Sequence, residues 1–392
     1  MEPLTTLLIC LGILYLFSEL LQFFKIPRVV SQISVGIVLG LPFIKDALFT
    51  DESLSILKFL AYVGSILLLF FVGLGLDFKQ LKKNLGASLN ISLFNTILPL
   101  AFGFLASKYL FGLSDIVSLL VGVCMSVSAT AFALDLLEEY GKLKTALGAL
   151  IVDAGATDDF VELMLVASIL AVIGVVGAKF SILVLILNVI IFLVILLIFR
   201  FILIPFILTI VERKMYKPAL FTAALLITLL LAVLAEYLKI GAIIGALFGG
   251  LIIRQVLKTD KAHGPYERTE ITHVVHAIGF GFLIPLFFLW IGLNTDIISI
   301  WQNINFSLTI TVLAIFGTVF GSAFGYWLVS KNWKNGWKVG WALNAKGDTE
   351  LVIAQVALGS GIISKDIFSS LIFMALISTL ISPFVFEYLL KK

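Results

Sequence analysis

The chain has 392 residues, of which 61% are hydrophobic and 13% charged, and it carries a formal net charge of +3 with a mean hydropathy of +1.15. Apolar runs of 18 or more residues recur along its whole length, enough for a helix to cross about 30 Å of hydrocarbon, which excludes a water-soluble globule and implies an all-α polytopic membrane protein. The small positive balance gives no argument for nucleic acid, and Cys10 and Cys124, both inside apolar runs, imply no disulfide framework.

Thirteen transmembrane helices are predicted, at 3–24, 29–44, 54–76, 86–111, 115–137, 145–175, 179–211, 217–237, 240–257, 270–293, 303–330, 336–358 and 364–389. The first has neither a basic leading region nor a small-residue cleavage site, so it reads as a span and not as a removable signal. The second and ninth are short. The seventh is long and contains Arg200 and Pro205, so a tilt or kink is expected there. With the N-terminus outside, nineteen lysines and arginines fall in the inner loops and five in the outer ones, leaving Lys58, Arg200 and Lys346 within spans. That asymmetry is the positive-inside pattern, so the N-terminus is expected outside and the C-terminus in the cytoplasm.

An internal repeat follows. Phe70, Phe71, Gly75 and Leu76 align with Phe287, Phe288, Gly292 and Leu293 at an offset of 217, and Val35-Gly36 align less closely with Gly249-Gly250. Spans 1–6 begin outside, span 7 crosses, and spans 8–13 begin inside. Two six-helix repeats joined by one linker helix must then be inverted, the plan of secondary transporters with a site near the midplane between broken helices.

Polar groups recur at one depth. Span 5 carries Ser126, Ser128 and Thr130; span 6 carries Asp158 and Asp159; span 11 carries Thr318; span 12 carries Asn344-Ala-Lys-Gly-Asp-Thr-Glu350, with Lys346 and Asp348 inside it. A carboxylate at mid-bilayer costs roughly 2.5–3.5 kcal/mol on insertion scales, so adjacent ones mark a site whose natural occupant is a small cation or a proton. The polar stretches in spans 5 and 12 are poor helix in lipid, and unwound backbone at that depth survives only when buried in protein or lining a wet cavity. Broken there, both helices would offer half-helix ends and free carbonyls to a ligand. Neighbours on a helix point about 100° apart, so Asp158 and Asp159 cannot face one point: one should line a cavity, and the other should meet a partner such as Lys346. Glu162 lies one turn on from the pair, and Asp153 nearer the cytoplasmic mouth. Oxygen ligands suit hard cations such as sodium. His263, His273 and His276 fall in or near one cytoplasmic loop, a solvated feature. The serines and threonine of span 5 also fit ordinary helix–helix contacts. Three other functions stay open: a cation channel, a sodium-coupled symporter of organic solutes, and an intramembrane aspartyl protease, whose Gly-x-Gly-Asp setting Ala345-Lys-Gly-Asp348 lacks.

These residues also carry a resemblance. Ile26-Pro-Arg-Val-Val30 with Gly36 and Gly40, Leu69–Asp77, Ser128-Ala-Thr130 followed by Leu136–Gly141, Ile284–Leu293, and Asn344-Ala-Lys-Gly347 with Glu350-Leu351 occur in the order seen in monovalent cation/proton antiporters. The chain resembles the branch that contains NapA-type sodium/proton antiporters, Kef-type potassium efflux proteins and plant cation/H+ exchangers. The resemblance implies antiport of a monovalent cation, sodium first and lithium next, against protons by alternating access, with Kef-type potassium/proton exchange as the alternative. It implies no enzyme activity and no cofactor. It identifies Asp158 and Asp159 as the ion-binding pair, with Asp159 the better match, Thr130 and Ser128 beside them, and Lys346, Asp348, Glu350, Thr318, Asp153 and Glu162 in support. It further implies a homodimer, in a prokaryotic cell membrane, with crossed broken helices. Its organisation would place a first repeat in 1–111 (spans 1–3 scaffold, span 4 core), core in 112–175, the linker helix in 176–212, scaffold in 213–300 and core in 301–392. Thr318 stands where electrogenic relatives usually have lysine, so the number of protons per cation stays open. The sequence as read holds no Kef-type nucleotide-binding domain after its last span, so nucleotide control is not expected within it.

Overall fold

In lipid each backbone N–H and C=O must be satisfied inside its own segment, so apolar runs of this length become helices. The computed structural model describes residues 2–75, 85–129, 131–178, 182–206, 217–259, 277–347 and 349–391, and all their regular elements are helical. They are α1 (Pro3–Gln22), α2 (Arg28–Leu39), α3 (Pro42–Leu48), α4 (Asp51–Gly75), α5 (Leu85–Leu105), α6 (Asp115–Ser126), α7 (Ala131–Glu139), α8 (Ala146–Ala178), α9 (Ile182–Ile198), α10 (Lys217–Tyr237), α11 (Ala242–Thr259), α12 (Ile284–Asn294), α13 (Ile297–Gln302), α14 (Ile304–Ser330), α15 (Trp333–Ala342), α16 (Thr349–Gly359) and α17 (Lys365–Lys391). By length and apolar composition, six described helices can cross a membrane, and a seventh span results if α2 and α3 are counted together across their 85° bend. Leu4, Leu8, Leu16 and Leu20 on α1 and Leu187, Ile190, Leu193 and Leu197 on α9 are exposed, as lipid-facing side chains should be.

Two helical turns widen immediately ahead of a proline. A π-helical turn over Phe199–Leu203 closes on the bond from the Ile204 N–H to the Phe199 carbonyl, immediately before Pro205. A second, Gly279–Leu283, closes from Ile284 to Gly279 immediately before Pro285. Proline supplies no N–H to the ladder, so the preceding amide slides to a more distant acceptor. The irregularity expected near Arg200 is therefore a widened turn.

Span 5 and span 12 are both broken, as expected. α6 ends at Ser126 and α7 begins at Ala131; α15 ends at Ala342 and α16 begins at Thr349. Gly347 adopts φ +152°, which side-chain-bearing residues rarely adopt, so glycine permits the second break. The breaks meet: the Ala129 N–H donates to the Ala345 carbonyl at 2.7 Å.

Two packing groups surround this crossing. α5 packs along α14, α6 and α8, while α2 packs on α12 and α4 on α11. Glycines decide how closely α5 and α14 approach. A Cβ at Gly317, Gly321 or Gly325 would stand 2.8, 2.3 and 2.6 Å from backbone atoms of Pro99, Phe94 and Asn90. Three glycines one turn apart thus let the α5 backbone lie directly on α14, the small-residue contact of membrane bundles. That contact brings the polar side chains of the two helices together.

Candidate functional site

Asp158 lies at the middle of α8 and is fully buried. Its carboxylate is held by hydroxyls and an amide. Ser92 Oγ donates to Oδ1 at 3.0 Å, Thr96 Oγ1 reaches the same oxygen at 3.4 Å, Asn95 Nδ2 donates to Oδ2 at 2.7 Å, and Ser128 Oγ donates to Oδ2. Ser92, Asn95 and Thr96 share one face of α5 because they are spaced i, i+3, i+4. Asn95 is itself oriented from α14, where Ser322 Oγ donates to its Oδ1 at 2.8 Å. Sequence reasoning missed all four of these residues. The signal was present as a polar stripe with helical spacing inside an apolar span, and as Ser322 one turn beyond Thr318.

Asp159 points elsewhere, as the 100° step demands. With Ser128, Glu162, Lys346 and Thr349 it lines a cavity of about 900 Å³. The rim of that cavity carries Lys25, Arg28, Glu139 and Glu387, the side expected to be cytoplasmic. Glu162 is buried, and its Oε1 accepts from the Ser128 backbone N–H and lies 3.0 Å from Ser128 Oγ. Ser128 thus stands between the Asp158 and Glu162 carboxylates at the first helix break.

Lys346 lies at the second break, on the same cavity as Asp159. It is fully buried in the second break, and its ammonium donates to the Val127 carbonyl at 2.7 Å and to Thr318 Oγ1 at 3.4 Å. The cation ties one break to the other through a carbonyl that the interruption left without a helical partner. A carbonyl at a helix end is a ready acceptor for a buried ammonium. Thr318, buried on α14, stands beside that ammonium. Asn344 Nδ2 donates to Ser378 and Ser382 of α17, and the Lys346 N–H donates to Thr379 at 2.9 Å, so α17 braces the second break.

The remaining expected residues divide. Glu350 is buried at the start of α16. Asp153 is partly buried a turn and a half from Asp158, with its carbonyl accepting from Thr157 Oγ1 at 2.8 Å, and it does not line the cavity. Thr130, Asp348, the end of the Leu69–Asp77 motif and His263, His273 and His276 lie outside the described residues.

A second cavity, about 470 Å³, lies toward the other end of the molecule, lined by Tyr62, Ser65, Glu236, Trp290, Gln355 and Ser360 among others. α16 runs between the two, with Thr349 at the first and Gln355 and Ser360 at the second.

The chain matches the family model for the transmembrane domain of sodium/hydrogen exchangers over residues 6–392. It is 27% identical over 362 residues to the Na(+)/H(+)-K(+) antiporter GerN of Bacillus cereus, covering 92% of this chain and 89% of that one. It is 28% identical over 380 residues to a Na(+)/H(+) antiporter of Enterococcus hirae, covering 96% and 94%. Its fold matches the sodium proton antiporter MjNhaP1 of Methanocaldococcus jannaschii, solved at pH 8, with a TM-score of 0.71 over 98% of this chain and 96% of that one at 14% identity. With a family model matched over nearly its whole length, and relatives in that family that are transporters and not enzymes, the chain belongs to the transmembrane sodium/hydrogen exchanger family.

Proposed function

We propose that this chain exchanges sodium, and lithium less well, for protons by alternating access at Asp158 and Asp159. The observation that carries the reading is the position of Asp159: with Ser128 and Glu162 it lines a large cavity, one helix step from Asp158, where the two helix breaks meet. Oxygen donors of this kind suit a hard monovalent ion, and the breaks add carbonyls and half-helix ends. Ser128 and Glu350 at the two breaks, with Thr130 and Asp348 next to them in the sequence, complete the proposed site.

The exchange needs no covalent step. Proton and cation compete for the same carboxylates. Either one neutralises the site enough for it to pass the apolar layer between the two cavities, whereas bare carboxylates are too costly to move there. α16, with one end at each cavity, is the element along which access switches. The proposed organisation has α1–α4 and α10–α12 as a scaffold and α5–α8 with α14–α17 as the moving core, the whole being a homodimer with its N-terminus outside and its basic-loop face in the cytoplasm.

Packing supports the inverted repeat. Gly36 of α2 lies against Gly292 of α12, and Gly250 of α11 lies against Gly73 of α4. The sequence offsets relate Gly36 to Gly250 and Gly75, two residues past Gly73, to Gly292, so the α2–α12 contact and the α11–α4 contact join corresponding helices. A pseudo-two-fold axis in the membrane plane produces that exchange.

Potassium is the second reading, favoured by the Bacillus cereus relative, whose name pairs sodium and potassium with protons. Purified protein in liposomes loaded with a pH dye, pulsed in turn with sodium, lithium and potassium at a clamped potential, distinguishes them. Sodium is expected to release the proton gradient most strongly and Asp159→Asn to abolish the response. Near-normal exchange by Asp159→Asn overturns the site assignment; a response to potassium alone selects the second reading.

A further inference from the structure

We propose that Asn95 is a positioning residue of the exchange site, set by Ser322, and that it acts by fixing Asp158 and the helix break at Ser128. This inference rests on the exchange reading above.

The geometry leaves Asn95 one orientation. Its amide nitrogen lies 2.7 Å from Asp158 Oδ2 and 3.5 Å from Ser128 Oγ, and its amide oxygen accepts from Ser322 Oγ at 2.8 Å. Turned over, it would set a carbonyl oxygen against a carboxylate oxygen. Asp158 takes the nitrogen end, and the Ser322 hydroxyl, which can rotate to donate, meets the oxygen end in that same rotamer. Each of these groups is at most 5% exposed, so no bulk water replaces a lost partner. Asparagine is suited to the position because it is neutral, donates to an anion and accepts from a hydroxyl at once.

The consequence concerns Asp158. A carboxylate has about four lone-pair positions, and Ser92, Thr96, Asn95 and Ser128 occupy two on each oxygen. Asp158 is therefore held between α5 and the break, directly behind Ser128, which with Asp159 and Glu162 lines the cavity. Holding it sets the rotation of α8 and so aims Asp159, one residue and about 100° further round. Ser128 is located by the same knot, since it touches Asp158 and Glu162 together. The chain of bonds runs from α14 through α5 to α8 and the first break, and misplacement of a binding group by about 1 Å, even from a distance, is enough to cost a hundredfold in rate.

The test is a double-mutant cycle in proteoliposomes, reading sodium-driven proton flux, with the melting temperature of each purified variant as a folding control. Asn95→Ala is expected to raise the apparent KM for sodium about tenfold, and Ser322→Ala about threefold. Because Ser322 acts through Asn95, the double variant is expected to match Asn95→Ala alone and not the product of the two, whereas independent packing losses would multiply. If Asn95→Ala does not fold, Asn95→Ser carries the test: it keeps a donor toward Asp158 but cannot bridge to Ser322, so Ser322→Ala should change nothing in that background. A wild-type KM in Asn95→Ala, or multiplying effects in either cycle, overturns the inference while the exchange reading stands. A wild-type protein without any sodium-driven or lithium-driven proton flux removes the exchange reading itself.

Discussion

Two clusters of acids in this molecule use similar side chains and obey different physics. Around Asp158 the hydroxyls of Ser92, Thr96 and Ser128 and the amide of Asn95 converge on one buried carboxylate. At the mouth of the larger cavity, Glu387 Oε1 meets Lys25 at 3.1 Å, Lys391 at 2.9 Å and the Tyr140 hydroxyl at 2.5 Å, and Lys25 also reaches Glu139 at 3.5 Å. There the lysine side chains are 49% and 59% exposed. Water competes far more for the bonds of the second cluster than for those of the first. A buried polar network fails as a unit when one member is lost, whereas exposed ion pairs are individually worth little.

The largest effect should come from emptying the sealed cluster. Asp158→Ala leaves the donors of Ser92, Asn95, Thr96 and Ser128 without their acceptor, at about 1–3 kcal/mol for each buried group left unsatisfied. A fall of many degrees in the melting temperature of the detergent-purified protein is expected, and a change within a few degrees would mean that the cluster is not sealed. Next comes the contact that assembles it. Gly321→Ala puts a Cβ 2.3 Å from the Phe94 carbonyl, forces α5 away from α14, and should cost about 1–3 kcal/mol as overpacking; exchange should fall more than stability, because Ser322 is the next residue.

Smaller effects belong to the wet side. Asp296 caps α13 through the N–H groups of Ile298 and Ser299 and pairs with Lys365 at 3.6 Å. Partial desolvation pushes its carboxyl up, but the two N–H groups and the Lys365 ammonium outweigh it and hold the group below the usual aspartate range. A lowered folded-state value stabilises above the unfolded value, about 3.9, and that contribution is lost as pH falls through the folded value. Asp296→Ala should therefore cost about 1 kcal/mol at neutral pH and nothing in strong acid, measured as melting temperature against pH. Lys25→Ala should be smallest, below about 1 kcal/mol and erased by high salt. The Lys25 ammonium is raised above its ordinary value, mainly by its hydrogen bond to Glu387, so what it contributes is complete below the unfolded lysine value and is lost only in strongly alkaline solution. A large or salt-insensitive effect would show that the mouth is drier than its exposure implies.

Much of this was legible in the chain before any fold was known. Hydropathy marked the apolar helices, because a bilayer leaves few options for the backbone. Ser128, Thr130 and the Asn344–Glu350 stretch marked the two breaks, because such residues continue a lipid-buried helix poorly. Adjacent aspartates in an apolar run marked the candidate site, and helical geometry alone required them to point apart.

Which aspartate faces which way was decided only by the tertiary structure. The donors on Asp158 come from residues 30 to 66 positions away, and Ser322 reaches Asn95 across 227. No local period encodes such pairings; they follow from how closely glycines let α14 lie on α5. The same holds for Lys346, whose ammonium binds the Val127 carbonyl at the opposite break, a contact that no spacing in the sequence announces. Periodicity and cost of burial are properties of one helix, so sequence reports them. The choice of partner is a property of several helices meeting at one depth, and it is made only when they pack.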